Sequence, residues 1–167
     1  MYTKLHVVAV NAQGSGPDAP GIWTIISMVE EFCPHWSAIF VSESDFLETS
    51  RDLVDIGPHC SWRHWNGAGS RAMRWILRSD RKHLLNSGTW QGRAGALSLV
   101  SNSSGNAREL NLVGLHAANG EILYDSLSDC SVLLARCKPC SKVLVCGDWN
   151  IDLLPISSIT LGLISRP

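Results

Sequence analysis

Four short apolar runs, each closed by a polar residue, constrain this chain more than any other feature in it. Leu5 to Val10 ends in Asn11, and Ala38 to Val41 leads to Glu43. Leu110 to Leu115 ends in His116, and Val143 to Cys146 leads into Gly147-Asp148-Trp149-Asn150. Runs this short and this rich in Val, Ile and Leu fit a pleated, buried surface. Each reads as a strand, with its polar residue at the carboxyl end. A strand end is a rigid mount, so side chains placed there can converge at one rim of a sheet.

The intervening segments supply helices and further strands. Ile22 to Phe32 carries apolar residues at 22, 25, 26 and 29, a helical period, and Cys33-Pro34 stops it. Ile122 to Leu134 has similar spacing. Ser61 to Trp65 and Ala72 to Leu77 read as strands around the turn Asn66 to Gly69. Arg93 to Val100 and Leu110 to Leu115 read as two more, joined by the polar loop Ser101 to Asn106. Strands interleaved with two separated helices give an α/β class with mixed or antiparallel pairing. Ile151 to Pro167 shows no period, and no internal repeat is present.

Size and composition narrow the class. With 167 residues, 45% of them hydrophobic, the chain has enough for one core and too few for two full domains. A net charge of −1 and a mean hydropathy of +0.05 are not those of a disordered chain. The longest apolar stretch, Leu153 to Ile164, is broken by Pro155 and Gly162, well short of the ~20 residues a membrane span needs. No secretory h-region follows Met1, so the expected location is intracellular, nuclear or cytoplasmic, with no membrane partner. In that setting the six cysteines are expected as reduced thiols. Cys137-Lys138-Pro139-Cys140 has metal-like spacing, but a zinc site needs four convergent ligands and only one tight pair exists. A turn before a strand, with Cys as a small hydrophobe, is the expected reading.

The near-zero net charge conceals an asymmetry. Residues 1–62 carry 2 basic and 8 acidic side chains, a balance of −6, whereas residues 63–108 carry 8 basic and 1 acidic, a balance of +7. That basic block comprises Arg63, Arg71, Arg74, Arg78, Arg81, Lys82, Arg93 and Arg108, with Trp65, Trp75 and Trp90 interleaved. Clustered Arg beside aromatics suits phosphate contact with base stacking. The alternative is a surface whose cations offset acidic neighbours.

Two glycine patterns fall away. Gly14-Ser15-Gly16-Pro17-Asp18-Ala19 fits a dinucleotide-binding spacing, but Pro17 and Pro20 remove N–H groups where a phosphate-binding helix should begin. Gly67-Ala68-Gly69-Ser70-Arg71-Ala72 precedes a strand and reads as a turn.

The strand-end residues carry more chemistry. Magnesium takes oxygen ligands and keeps several waters, so one or two carboxylates suffice to hold it, and Glu43 and Asp148 supply that charge. Asn11 and Asn150 can orient a phosphate oxygen or an attacking water without adding negative charge. His116 can donate to a phosphate oxygen or shuttle a proton. Taken singly, Asn11 and Asn119 also suit turns and Asp148 could cap a loop; five such residues at strand ends are less easily bland.

Gly147-Asp148-Trp149-Asn150 after Val143-Leu144-Val145 resembles the Gly-Asp-(Phe/Trp)-Asn motif of the endonuclease/exonuclease/phosphatase superfamily. That superfamily includes pancreatic deoxyribonuclease, the apurinic endonucleases and the endonuclease domains of non-LTR retroelements. Val8-Ala9-Val10-Asn11 is similar to its first strand, Phe40-Val41-Ser42-Glu43 to the strand with the metal-binding Glu, and Leu115-His116-Ala117-Ala118 to its His-containing loop. The ordered series spans Leu5 to about Pro155, and Asp148 to Pro155 looks most like retroelement members.

The resemblance implies a four-layer α/β/β/α sandwich of the DNase-like type, one domain over residues 1–167. The family continues to another site Asp and a Ser-Asp-His motif, which this sequence does not contain, so the expected fold is incomplete after the Gly-Asp-Trp-Asn motif. The implied activity is phosphodiester hydrolysis with Mg²⁺, or Mn²⁺ in its place, on nucleic acid, DNA ahead of RNA. Glu43 and Asp148 would hold the metal, His116, Asp148, Asn150 and Asn11 would serve catalysis, and Arg71, Arg74, Arg93 and Asn119 would contact nucleic acid. Two other readings are carried: a weak or inactive remnant that binds nucleic acid through the basic segment, and the same fold acting on a phosphoinositide or other small phosphodiester.

Overall fold

A computed structural model describes residues 5–12, 21–44, 53–64, 72–103, 106–117 and 123–148. The chain divides into two compact units, Met1–Leu85 and Asn86–Pro167.

The first unit is a five-stranded sheet with one helix. Its strands are β1 (Val7–Asn11), β2 (Ala38–Ser44), β3 (Leu53–Ile56), β4 (His59–His64) and β5 (Ala72–Leu77), in the order β1-β2-β5-β4-β3. β1 and β2 run parallel and the other pairings are antiparallel. A parallel pair needs a crossover, and α1 (Ile22–Phe32) supplies it. Its span coincides with the helical period of the sequence. Ile25, Ile26 and Val29 pack on Ile39, Val41 and Ile76, with Trp36 in the same cluster. Residues alternate across a strand, so Phe40 lies on the opposite face, where its ring meets Trp75 at 5.1 Å. All four residues from Ala38 to Val41 have no exposed surface, which is why this strand is a continuous apolar run.

Part of the basic block serves this packing. Arg78 Nη1 donates to the Pro34 and Trp36 carbonyls at 2.7 and 3.2 Å, closing the segment between α1 and β2. Arg78 and Arg81 each lie 3.7 Å from Asp80, and Lys82 Nζ lies 2.6 Å from Asp55. These cations therefore meet acidic neighbours and backbone carbonyls within their own unit.

His59 opens β4 after the turn Gly57-Pro58 and is buried between the rings of Trp36 and Trp23. Its Nδ1 accepts the Ser79 N–H at 3.1 Å, so a proton on Nδ1 would set two donors against each other. Burial holds its pKa below the usual 6.5, Glu30 opposes the shift, and Arg78 and Lys82 reinforce it. A depressed histidine pKa means that the unfolded chain takes up the proton first. Stability is full above about pH 6.5 and falls as pH drops below it towards the folded value. Thermal melts of the parent should lose more between pH 7 and 5 than those of His59→Asn, whose amide oxygen accepts without titrating. Parallel curves would remove His59 from the acid response.

The second unit is a four-stranded sheet of β6 (Leu85–Gln91), β7 (Ala94–Ser103), β8 (Asn106–His116) and β9 (Lys142–Asp148), in that order. β7 and β8 are antiparallel, and β8 and β9 are parallel with α2 (Leu123–Arg136) as the crossover. Cys130 and Leu133 of α2 join Ala94, Ala96, Val113 and Leu115 in the core, with Leu127, Leu134, Val143 and Val145 packed against it. Farther along β8 on the same face the residues become polar. Glu109 accepts Lys138 Nζ at 2.7 Å and Ser98 Oγ at 3.2 Å, and Asn111 donates to Ser141 Oγ at 2.9 Å. The Lys138 hydrogen bond leads in holding the Glu109 carboxyl below its ordinary range.

All six cysteines are thiols outside any disulfide. Residues 137–141 form the expected turn before β9, with Ser141 N donating to Lys138 O at 3.0 Å. Burial pushes the Cys146 thiol up to about 12, which suits a packing group and not a nucleophile. Among the described residues no helix is long and apolar enough to cross a membrane.

Three elements go beyond the sequence reading: β3, β6 and a 3-10 turn at Ser79–Leu84. The loop expected from Ser101 to Asn106 is shorter, because β7 runs to Ser103 and β8 starts at Asn106.

Candidate functional site

Each unit carries its expected site residues at the carboxyl ends of its parallel pair. In the first, Asn11 closes β1 directly opposite Ser42 of β2, and Ala12 N donates to Ser42 O at 2.9 Å. Glu43 follows. Opposite β5 the register moves from Val41↔Arg74 to Ser44↔Ala72, so three steps on β2 match two on β5 and one residue is extra. Such a bulge re-aims a side chain. Glu43 is half-buried and adopts φ 53, the left-handed conformation that a side chain pays for with about 1–2 kcal/mol. Strained non-glycine residues cluster at functional positions.

In the second unit His116 ends β8 directly opposite Asp148 at the end of β9. Ala117 N donates to Asp148 O at 2.8 Å, which extends the ladder one bond past the pair. On its other side His116 N donates to Arg93 O at 3.0 Å. Arg93 N in turn donates to the Asp129 carboxylate of α2 at 2.9 Å. His116 is buried and Asp148 half-buried. Gly147, the residue of β9 before Asp148, has φ 143, and a Cβ there would lie 1.9 Å from the Leu115 carbonyl oxygen. The glycine of the Gly-Asp-Trp-Asn motif is thus what lets β9 approach β8 at the level of His116.

The expected nucleic-acid contacts divide. Arg93 is half-buried in the turn just before β7. Arg74 departs from expectation: it is 2% exposed, and its Nη1 donates to Ser61 Oγ at 3.4 Å. Two positions before Ile76 on β5, it shares the face that α1 covers. A guanidinium in that position offers a phosphate backbone no surface. Trp75 likewise has no exposed surface with which to stack a base. Asn150, Arg71 and Asn119 lie outside the described residues. Asp129 escapes a sequence reading, because its only local signal is an acid on an amphipathic helix.

Solved structures share this arrangement of strands and helices. D. rerio TDP2 humanised by 14 mutations superposes over 88% of this chain with a TM-score of 0.54 at 14% identity. An endonuclease/exonuclease/phosphatase family protein from Leptotrichia buccalis gives 0.55 over 89% at 14% identity. The human Nocturnin catalytic domain gives 0.51 over 77% at 17% identity. The fold is the DNase-like one. No known family model and no curated protein matches the chain, so the likeness is one of fold. The chain spans 62%, 67% and 55% of those three proteins respectively. Two mixed sheets, each with a parallel pair bridged by a helix, are the DNase-like features that the described residues display.

Proposed function

We propose that this chain is a divalent-metal-dependent phosphodiesterase of the nuclease type, acting on nucleic acid with DNA ahead of RNA, and derived from a retroelement. The observation that carries the reading is the chemistry at the carboxyl ends of the two parallel pairs: Asn11 and Glu43 on one, His116 and Asp148 on the other. Ligands of open α/β sheets gather at such ends. The DNase-like fold supports it, as does a D. rerio TDP2 structure holding a single-strand DNA product, with a TM-score of 0.50.

The donor set fits a hard cation. Glu43 and Asp148 offer carboxylate oxygens, and Mg²⁺ prefers oxygen ligands with several waters retained; Mn²⁺ can stand in for it. When bound, the ion supplies Lewis acidity at a phosphoryl oxygen. Asp148 and Asn150 position the attacking water and a phosphate oxygen, Asn11 supports them, and His116 donates to the phosphate as charge develops. Arg93 and Asn119, with Arg71, contact the nucleic-acid backbone.

The binding-only reading draws on the basic central segment. Arg74 is buried and Arg78, Arg81 and Lys82 meet acids of their own unit, which weakens that reading.

A nicking assay on supercoiled plasmid tests the proposal. Nicking is expected with Mg²⁺ and not with a chelator, and Asp148→Ala should slow it on the order of 10³-fold, since several kcal/mol of charge stabilisation are at stake. Parent-rate nicking by Asp148→Ala would falsify the assignment. DNA affinity that is indifferent to metal and steeply salt-dependent, without nicking, would favour the binding reading.

A further inference from the structure

We propose that Asp129 is a positioning residue for this reaction, acting on His116 through the Arg93 peptide. The inference rests on the phosphodiesterase reading for its function, but its geometry lies wholly within the second unit. Two bonds run in series and end at the His116–Asp148 pair. The Asp129 carboxylate accepts the Arg93 N–H at 2.9 Å, the Arg93 carbonyl accepts the His116 N–H at 3.0 Å, and His116 stands opposite Asp148. Arg93 is therefore held on both sides of its residue, by an acid from α2 and by the end of β8.

Gly92 provides an independent sign that the acid was fitted to this turn. It adopts φ 48, and a Cβ there would lie 1.9 Å from Asp129 Oδ2, 2.4 Å from Cγ and 2.7 Å from Oδ1. The carboxylate rests where a side chain at position 92 would otherwise be. A helix could be fastened to a hairpin by apolar contacts alone, and Cys130 and Leu133 already supply those. A carboxylate aimed at one N–H adds direction, which apolar packing lacks. That N–H belongs to the residue whose carbonyl holds His116.

Asp129→Ala removes the acceptor, and Asp129→Asn keeps an oxygen able to take the same N–H. With plasmid DNA and Mg²⁺, Asp129→Ala should lower kcat on the order of 10–10²-fold, the cost of a group misplaced by about an ångström, with KM within about twofold. Asp129→Asn should restore most of the rate. A kcat for Asp129→Ala within about twofold of the parent, or an equal fall in Asp129→Asn, would overturn the proposal. If Asp129→Ala does not fold, Asp129→Glu shifts the turn by one methylene at constant charge; it should show the same kcat loss, and parent-like kcat there also overturns it. If the parent itself does not nick DNA, the nuclease reading fails, and backbone NMR decides the positioning. Asp129→Ala should speed exchange of the Arg93 amide and move the His116 amide resonance, with both restored in Asp129→Asn. An unmoved His116 resonance would refute the linkage.

Discussion

Gly147→Ala is expected to cost more than about 3 kcal/mol, against a typical domain stability of about 5–15. At φ 143 the residue occupies a region reserved for glycine. Its added Cβ would lie 1.9 Å from the Leu115 carbonyl oxygen and 2.8 Å from Leu115 N and C. These are backbone atoms of the neighbouring strand, so no side-chain rotation relieves the overlap. β9 must move away from β8, and that separates His116 from Asp148 one position farther on. Urea unfolding should show the loss as a lower midpoint or as failure to accumulate folded protein. A midpoint equal to the parent's would mean that β9 does not approach β8 as described.

Glu43 should separate activity from stability. Replacing it by Ala or Gly removes a proposed metal ligand, and nicking should fall on the order of 10³-fold in either case. Stability should then divide the two. In a strand Gly is ordinarily worse than Ala by about 0.5–1 kcal/mol. At φ 53 the order reverses, because Ala retains a left-handed penalty of about 1–2 kcal/mol that Gly escapes. Glu43→Gly should therefore melt at or above the temperature of Glu43→Ala while being equally inactive. The reverse order would show that the bulge relaxes once the carboxylate is gone. Comparing the two variants cancels every interaction of the carboxylate itself.

Some residues were legible for a local reason. The limits of α1 follow from an apolar period closed by Cys33-Pro34, and both signals lie within a dozen residues. β1, β2, β8 and β9 are similarly visible as mainly apolar runs; β2 and the last residues of β8 are buried on both faces, whereas β1 and β9 are only half-buried, with Ala9 exposed. β3 and β6 are not written that way. Leu53–Ile56 has four residues with an Asp among them, and Leu85–Gln91 is largely polar with a Gly inside. Each is a strand because a neighbour offers it a ladder.

Arg74 shows how a charge pattern misleads. Eight cations in one stretch of sequence look like one basic surface, yet folding sends them to different places. Arg74 goes under α1, and Arg78 goes to the Pro34 and Trp36 carbonyls. The strand phase shared with Ile76 was the available warning.

The sequence by itself determined the α/β class, both helices, and the strands that carry Asn11, Glu43, His116 and Asp148 at or next to their carboxyl ends. All of these depend on residue type and on neighbours within a turn or a strand. Only the tertiary structure decided the bulge that puts Glu43 at φ 53, the approach of β9 that Gly147 permits, the burial of Arg74 and the bond from Asp129 to Arg93. Each of these depends on a partner distant in the chain: Asp129 and Arg93 are 36 positions apart. No local pattern specifies which distant backbone a strand or side chain will meet; the packing of the whole unit does.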